Sequence, residues 1–457
     1  MRIFLFLSLI LLLNSCQKWL DAKPDISLGT PASLKDFQLM MDYDEMINMW
    51  YPDIAEIAAD YSRYENSFAI NLDDYAKNAY TWTNYPAYRN QGYLCWANGG
   101  FSPYQKILFL NTIIEGLGKV VTDGASELQL KESLEGQAFF VRAKVFFELA
   151  QLFAPAYNSP TAETDLGIPI RIQSDLEKSI VRSSVAQTYN QIIQDLLLAQ
   201  NKLPLTQPYN TRPNKPACFA LLAKVYLSME KYDDAKVAAD SCIQLYNTLQ
   251  DYRTIDSIPS FSFSLRNKEI LFYSTLVNST STGNFLKVSS DFVSGYAIND
   301  LRKSLFFNKK TMSDTGYTFK GSYSGSQLIF NGLATDEVYL IRAECLAREG
   351  KTTDALTDLN NLMITRWKLG TFLPFSASTS DDALTIILNE RNKELVRRGT
   401  RWSDMRRLSK DQRFTFTPVR MLNANVYSLP PNSFRYTFPI PNDIIVMSGI
   451  QQNPGWQ

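Results

Sequence analysis

No histidine occurs anywhere in the 457 residues. Its absence removes imidazole-ligated zinc and copper sites, Ser-His-Asp and Cys-His nucleophile systems, and imidazole general bases together. Neither sign of charge prevails, since Lys+Arg and Asp+Glu both total 46. The basic surface that draws nucleic acid is therefore missing, and no nucleic-acid partner is predicted. Cysteine is scarce, with five residues and no CxxC spacing, which argues against a thiolate metal site or redox motif. Beyond Cys16, the even set Cys95, Cys218, Cys242 and Cys345 permits two disulfides but is too sparse for a disulfide framework. Three of these lie in apolar helical stretches, the setting of small buried thiols. Adjacent carboxylates at Asp73-Asp74 are too few ligands for calcium, so neither metal nor cofactor is predicted. What the sequence does have is aromatics, 13% of residues with 24 Tyr and 27 Phe, on an ordinary globular background of 45% apolar and 20% charged residues.

Long apolar runs are also missing, except at the start. Arg2 precedes the apolar run Ile3 to Leu13, the layout of a secretory signal peptide. That run is shorter than the about 20 residues needed to cross a bilayer. It ends at Leu13-Asn14-Ser15-Cys16, which resembles a bacterial lipobox. The resemblance predicts a signal peptide over residues 1–15, lipid attachment at Cys16 and a tether over residues 16–31, broken by Pro24, Gly29 and Pro31. Several acyl chains would hold the protein at a membrane surface, because each buried methylene adds about 0.8 kcal/mol.

Helical pairs dominate the rest. Leu222-Ala223, Tyr226, Ala235, Ala239 and Cys242 occupy the small and large positions of a tetratricopeptide (TPR) helix-turn-helix. Ala343, Leu346, Ala355, Leu359 and Leu362 repeat the pattern at the same offset, with Gly350-Lys351 at the turn. A third, interrupted copy opens with Arg142-Ala143 and Phe146 and closes on the apolar face Tyr189, Ile192, Ile193, Leu196 and Ala199. The predicted pairs span about 133–203, 217–247 and 336–366. Their small residues let helices approach closely, and stacking buries a continuous core. The fold class is thus mainly α: TPR-like pairs in a right-handed superhelical scaffold, with few short strands and long irregular insertions at about 50–101 and 261–335. A helix is predicted from Leu34 to Met49 and another from Asp381 to Arg397, and the Pro-rich ending is predicted to run extended over the surface.

Several segments together resemble the SusD/RagB family of outer-membrane lipoproteins of Bacteroidota. They are Cys16 through Asp25, Arg142-Ala143 with Phe146-Phe147-Glu148-Leu149, Gly167-Ile168-Pro169-Ile170, Arg182-Ser183-Ser184-Val185, the Glu390 to Arg407 cluster, Phe438-Pro439-Ile440-Pro441, and Gln452 through Trp456. The resemblance implies one body over residues 32–457. It further implies cell-surface capture of oligo- or polysaccharide, without catalysis or cofactor, and delivery to a SusC-like TonB-dependent transporter in the outer membrane. Within the Glu390 to Arg407 cluster, Glu394 and Asp404 could be taken for an acid and base. Arg401 and Arg407 are better read as bidentate carboxylate clamps that fix the scaffold, and Asp300-Leu301-Arg302 as a structural pair.

Sugar rings offer an apolar face to flat aromatics and a rim of hydroxyls to amides, carboxylates and guanidinium groups. The first insertion supplies both in Trp82, Tyr85, Tyr88, Arg89, Asn90, Trp96 and Asn98. A later loop, which the resemblance implies contributes, offers Tyr296 and Tyr323, with Asn299, Arg302 and Tyr317 as further candidates. Two other functions fit parts of the sequence: a peptide-binding TPR lipoprotein, and a surface glycoside hydrolase that needs only two carboxylates.

Overall fold

Helix starts follow from capping residues. Ser184 accepts from the Gln187 amide while Gln187 reaches back to the Ser184 N–H, a complete capping box, and Asn214 and Thr379 cap by side-chain oxygen. The computed structural model describes residues 31–83, 95–96, 100–177, 180–265, 267–277, 283, 285–308 and 316–456. Its principal helices are α1 (Pro103–Lys119), α2 (Ala125–Phe153), α3 (Val185–Lys202), α4 (Lys215–Ser228), α5 (Tyr232–Leu245), α6 (Thr335–Arg348), α7 (Thr352–Met363), α8 (Ser380–Glu394) and α9 (Arg401–Leu408). Each of α1 to α7 packs against the next, and α8 lies on α6, so the helices stack in sequence as the predicted TPR-like pairs require. The fold is mainly helical, with few short strands. Among the described residues no helix is long and apolar enough to cross a membrane.

Ala223, Ala235, Ala239, Ala343 and Ala355 are fully buried at the helix contacts. The two pairs share their turn geometry as well: Gly350 takes a left-handed φ of 83° between α6 and α7, and Glu230 takes φ 59° at the matching place between α4 and α5. The second half of α2 is buried nearly all round, Arg142, Lys144 and Gln151 included, where α1 and α3 pack against it.

Strands only tie the insertions together. Ser62–Arg63, Lys287–Ser289 and Gly316–Tyr317 form a small antiparallel sheet. Leu166–Pro169 pairs with Arg182–Ser184, and Ile270–Phe272 with Leu333–Ala334. Val419–Leu422 and Asn425–Ser428 make a hairpin whose Asn423 and Ala424 both adopt positive φ. A second aromatic core, including Tyr252, Phe263, Phe306, Tyr323 and Phe330, fills the later insertion.

Three stretches differ from expectation. The first helix ends at Met41 and a short turn, Asp44–Ile47, follows. Residues 54–58, 66–69 and 74–81, inside the segment read as loops, are short helices, the last capped by Asp73. The ending does not run extended over the surface. It carries a helix, Asn442–Ser448, and buries Phe438, Ile440 and Trp456, with Trp456 Nε1 donating to Thr437 O at 2.6 Å. Burial of these aromatics outweighs the extended preference of the flanking prolines.

Candidate ligand-binding site

Among the described aromatic candidates, Trp96 lines a cavity bounded by α1, the strand Leu166–Pro169 and the C-terminal helix. Trp82 ends the helix Asp74–Thr81 in a left-handed conformation and donates from Nε1 to Ala58 O at 2.9 Å, with the Arg420 guanidinium 4.3 Å above its ring. Tyr296 is buried and donates to Lys393 O at 2.7 Å. Tyr323 is buried too, bonded to Glu269 at 2.6 Å and Asp336 at 3.1 Å beneath Arg398. These three rings are packed inside the scaffold. Asn299 is half-buried and its carbonyl accepts from Lys368 N, and Tyr317 leans on Phe307. Tyr85, Tyr88, Arg89, Asn90, Asn98 and Cys16 lie outside the described residues.

The cavity beside Trp96 has a volume of about 350 Å³. Trp96 is only 3% exposed and forms its floor, packed on Tyr104 at 5.0 Å and edge-on to Phe153 at 4.9 Å. Pro103 opens α1, and the Tyr104 N–H donates to Trp96 O at 2.9 Å, which ties the end of the first insertion to that helix. On α1, Tyr104 donates its hydroxyl to Pro169 O at 2.9 Å. One turn and more along, Asn111 Nδ2 donates to Arg171 O and Gln173 O at 3.1 and 3.0 Å. Its Oδ1 accepts from Arg142, which in turn clamps Asp195 with two bonds of 2.7 Å. Glu115 holds Ser174 by amide and hydroxyl, and those two hydrogen bonds, hydroxyl first, lower its pKa. The wall from Pro169 to Leu176 is therefore pinned to α1 at several points. Opposite stand Ile444 and Met447 of the C-terminal helix. Leu176 and Met447 are 72% and 84% exposed, so the mouth is apolar. The aromatic floor and aliphatic walls suit the apolar face of a ligand, while the Asn111 amide is spent on Arg171 O, Gln173 O and Arg142.

The Arg-rich segment does something different. Arg302 meets Asp300 at 2.7 Å, Glu390 at 2.5 Å and Glu394 at 3.1 Å, all essentially without solvent. Arg366 joins Glu394 to Glu269 at 2.7 and 2.8 Å, and Arg398 pairs with Asp336 at 3.0 Å. Arg391 and Arg407 flank Asp404, each at 2.9 Å. Burial opposes ionisation of Asp404, but Arg391 and then Arg407 overcome it and hold the carboxyl down at about 2. Glu394 is sealed between two guanidinium groups and Asp404 is ionised at any ordinary pH, so this network is scaffold. Among the described residues no cluster of three or more metal-ligating side chains occurs.

Comparison with known proteins places this architecture. The family described as "Starch-binding associating with outer membrane" matches residues 18–227, and the SusD family matches residues 334–456. The chain belongs to the SusD/RagB family. No curated protein matches it. Among solved structures, a SusD superfamily protein from Bacteroides thetaiotaomicron is 22% identical, covering 93% of this chain and 100% of its own, at TM-score 0.71. Another from Bacteroides vulgatus is 21% identical, covering 93% and 100%, at 0.73. A SusD-like carbohydrate binding protein from Bacteroides vulgatus is 17% identical, covering 92% and 97%, at 0.68.

In this SusD/RagB chain, Arg401 and Arg407 do clamp carboxylates bidentately, on Asp60 and Glu344. The cavity residues Tyr104, Asn111, Ile444 and Met447 escape sequence reasoning. The available signals were an asparagine inside an apolar helix face and the apolar run Ile444 to Met447 soon after two prolines.

Proposed function

We propose that this SusD/RagB protein is a lipid-anchored outer-membrane protein, without catalytic activity, that captures oligo- or polysaccharide at the cell surface and hands it to a SusC-like TonB-dependent transporter. Family membership supports a carbohydrate-binding role in nutrient uptake. The observation that carries the reading is the match of residues 18–227 to a family described as starch-binding and associating with the outer membrane. A carbohydrate-binding relative of the same fold from Bacteroides vulgatus supports it further.

On this reading the cavity beside Trp96 takes the glycan. Tyr85, Tyr88, Arg89 and Asn98, neighbours of Trp96 in sequence, remain candidate ligand contacts, while Trp82, Tyr296 and Tyr323 hold the scaffold. Cys16 carries the lipid.

Affinity electrophoresis of the chain from Gln17 onward, through gels containing starch, xylan, galactan, mannan or mucin glycans, tests this. Retardation by one polysaccharide without release of reducing ends is the expected result. A folded chain that no gel slows, but that binds peptides, overturns it in favour of peptide uptake. Hydrolysis of the polysaccharide overturns it in favour of an enzyme.

A further inference from the structure

A second cavity lies on the later insertion, away from Trp96, and its chemistry differs. Its volume is about 300 Å³, and Gln250, Thr254, Asp256, Ser262, Phe263 and Asn267 line it. Two polar groups there have no hydrogen-bond partner among the described residues: Nδ2 of Asn267, a residue only 7% exposed, and Oγ of the half-buried Ser262. Burying such groups unpartnered is unfavourable, and a ligand supplying hydroxyls relieves it.

The floor is held rigid by the buried charge network. Gln250 N donates to Glu269 Oε1 at 2.9 Å, and Gln250 O accepts from Arg366 Nη1 at 2.8 Å. Glu269 N donates to Asn267 Oδ1 at 3.0 Å, which fixes the Asn267 amide so that its other end stays unused. The Phe263 ring rests on Tyr252 at 5.1 Å and Tyr323 at 4.9 Å. The ion pairs that look purely structural thus preset the cavity floor.

We infer that this polar cavity is a second saccharide site, taking an uncharged sugar ring or chain end, an inference that rests on the glycan-binding reading above. Paired amides and hydroxyls serve ligand groups that both donate and accept, and Phe263 with Ile255 gives an apolar surface for the ring face. No lysine or arginine lines the cavity, and its single charge is the Asp256 carboxylate, so anionic sugars are disfavoured. The size sits at the lower end of ligand cavities, about 300–1,000 Å³, which fits a terminus better than an extended chain.

Saturation-transfer NMR with the methyl glycosides of glucose, galactose, mannose and xylose tests this, with glucuronic acid as the charged counterpart. The protein is the chain from Gln17 onward and its variants Thr254→Trp, Ser262→Ala and Trp96→Ala. Thr254 is exposed and gives up only the local bonds of its hydroxyl with Asp251 O and Gln250 Nε2, and the Ser262 hydroxyl has no partner to lose, so an unchanged thermal melt is expected of both variants. A neutral glycoside is expected to bind wild type, to lose part of its signal in Thr254→Trp, to weaken about three- to tenfold at this cavity in Ser262→Ala, and to lose all signal only when Thr254→Trp and Trp96→Ala are combined, because each removes one site. Equal signals in Thr254→Trp and wild type overturn the second site, as does a polysaccharide that slows the wild type while no neutral glycoside binds. If no polysaccharide slows the wild type and no glycoside binds, both this inference and the glycan-binding reading fall.

Discussion

Arg401 closes on Asp60 through two parallel hydrogen bonds, Nε to Oδ1 at 2.8 Å and Nη2 to Oδ2 at 2.7 Å, between residues 341 apart in sequence. The pair fastens the first insertion to α9, and both side chains are mostly buried. Burial works against the Asp60 carboxylate, yet the neighbouring Arg401 charge keeps its pKa below the usual range. Asp60→Ala leaves the guanidinium buried without its partner and is expected to lower stability by about 2–4 kcal/mol, read by urea unfolding. An unchanged midpoint would show that the clamp contributes nothing.

Gly167 explains the Gly-Ile-Pro-Ile segment physically. A Cβ there would lie 2.2 Å from Thr188 Oγ1 and 2.5 Å from the Ser184 carbonyl oxygen, and that backbone cannot yield without breaking the pairing with Arg182–Ser184. Gly167→Ala is expected to cost about 1–3 kcal/mol, while Gly118→Ala, with open space around its Cβ, stays near or above wild type in a thermal melt.

Acid sensitivity follows from Asp404. Its folded pKa of about 2 lies below its ordinary 3.8, so its contribution is present above about pH 4 and is lost as pH falls toward 2. The loss amounts to about 2 kcal/mol. Urea midpoints measured across that window should fall less steeply in Asp404→Asn than in wild type. Parallel slopes would contradict the assignment.

Cys95, Cys218, Cys242 and Cys345 are all free and buried. Burial pushes every one of these thiols up, Cys242 to about 12. Maleimide at pH 8 should therefore leave the native chain from Gln17 onward unlabelled and label all four cysteines in urea, as mass spectrometry reads. Rapid labelling of the native protein would contradict the burial.

Much of the scaffold was legible because periodic small residues have one use. Ala223 with Ala235, and Ala343 with Ala355, specify close helix packing wherever they recur, and the offset alone places the turns. Glu230 shows the limit, since nothing marks it as left-handed except its alignment with Gly350. The ending was misread because Pro439 and Pro441 speak for extension, whereas Asn453, through bonds to Phe153 O and Phe438 O, draws the tail into the core. Arg182 and Arg420 were illegible as staples because most of their partners are backbone carbonyls, including Gly167 O and Leu166 O for Arg182, which also reaches Asn453 Oδ1, and Ile57 O for Arg420. Carbonyls leave no trace in side-chain patterns. The ligand site was least legible, since loop aromatics read alike whether they border a cavity, as Trp96 does, or pack wholly inside the scaffold, as Trp82, Tyr296 and Tyr323 do.

Calorimetric titration of the oligosaccharide derived from the retarding polysaccharide, into wild type and Trp96→Ala, tests the central claim most directly. The account predicts saturable binding to wild type and a loss of up to about tenfold in a folded Trp96→Ala, since contact with one aromatic is worth about 0.5–1.5 kcal/mol. Undiminished affinity in that variant would place the glycan elsewhere and contradict the account.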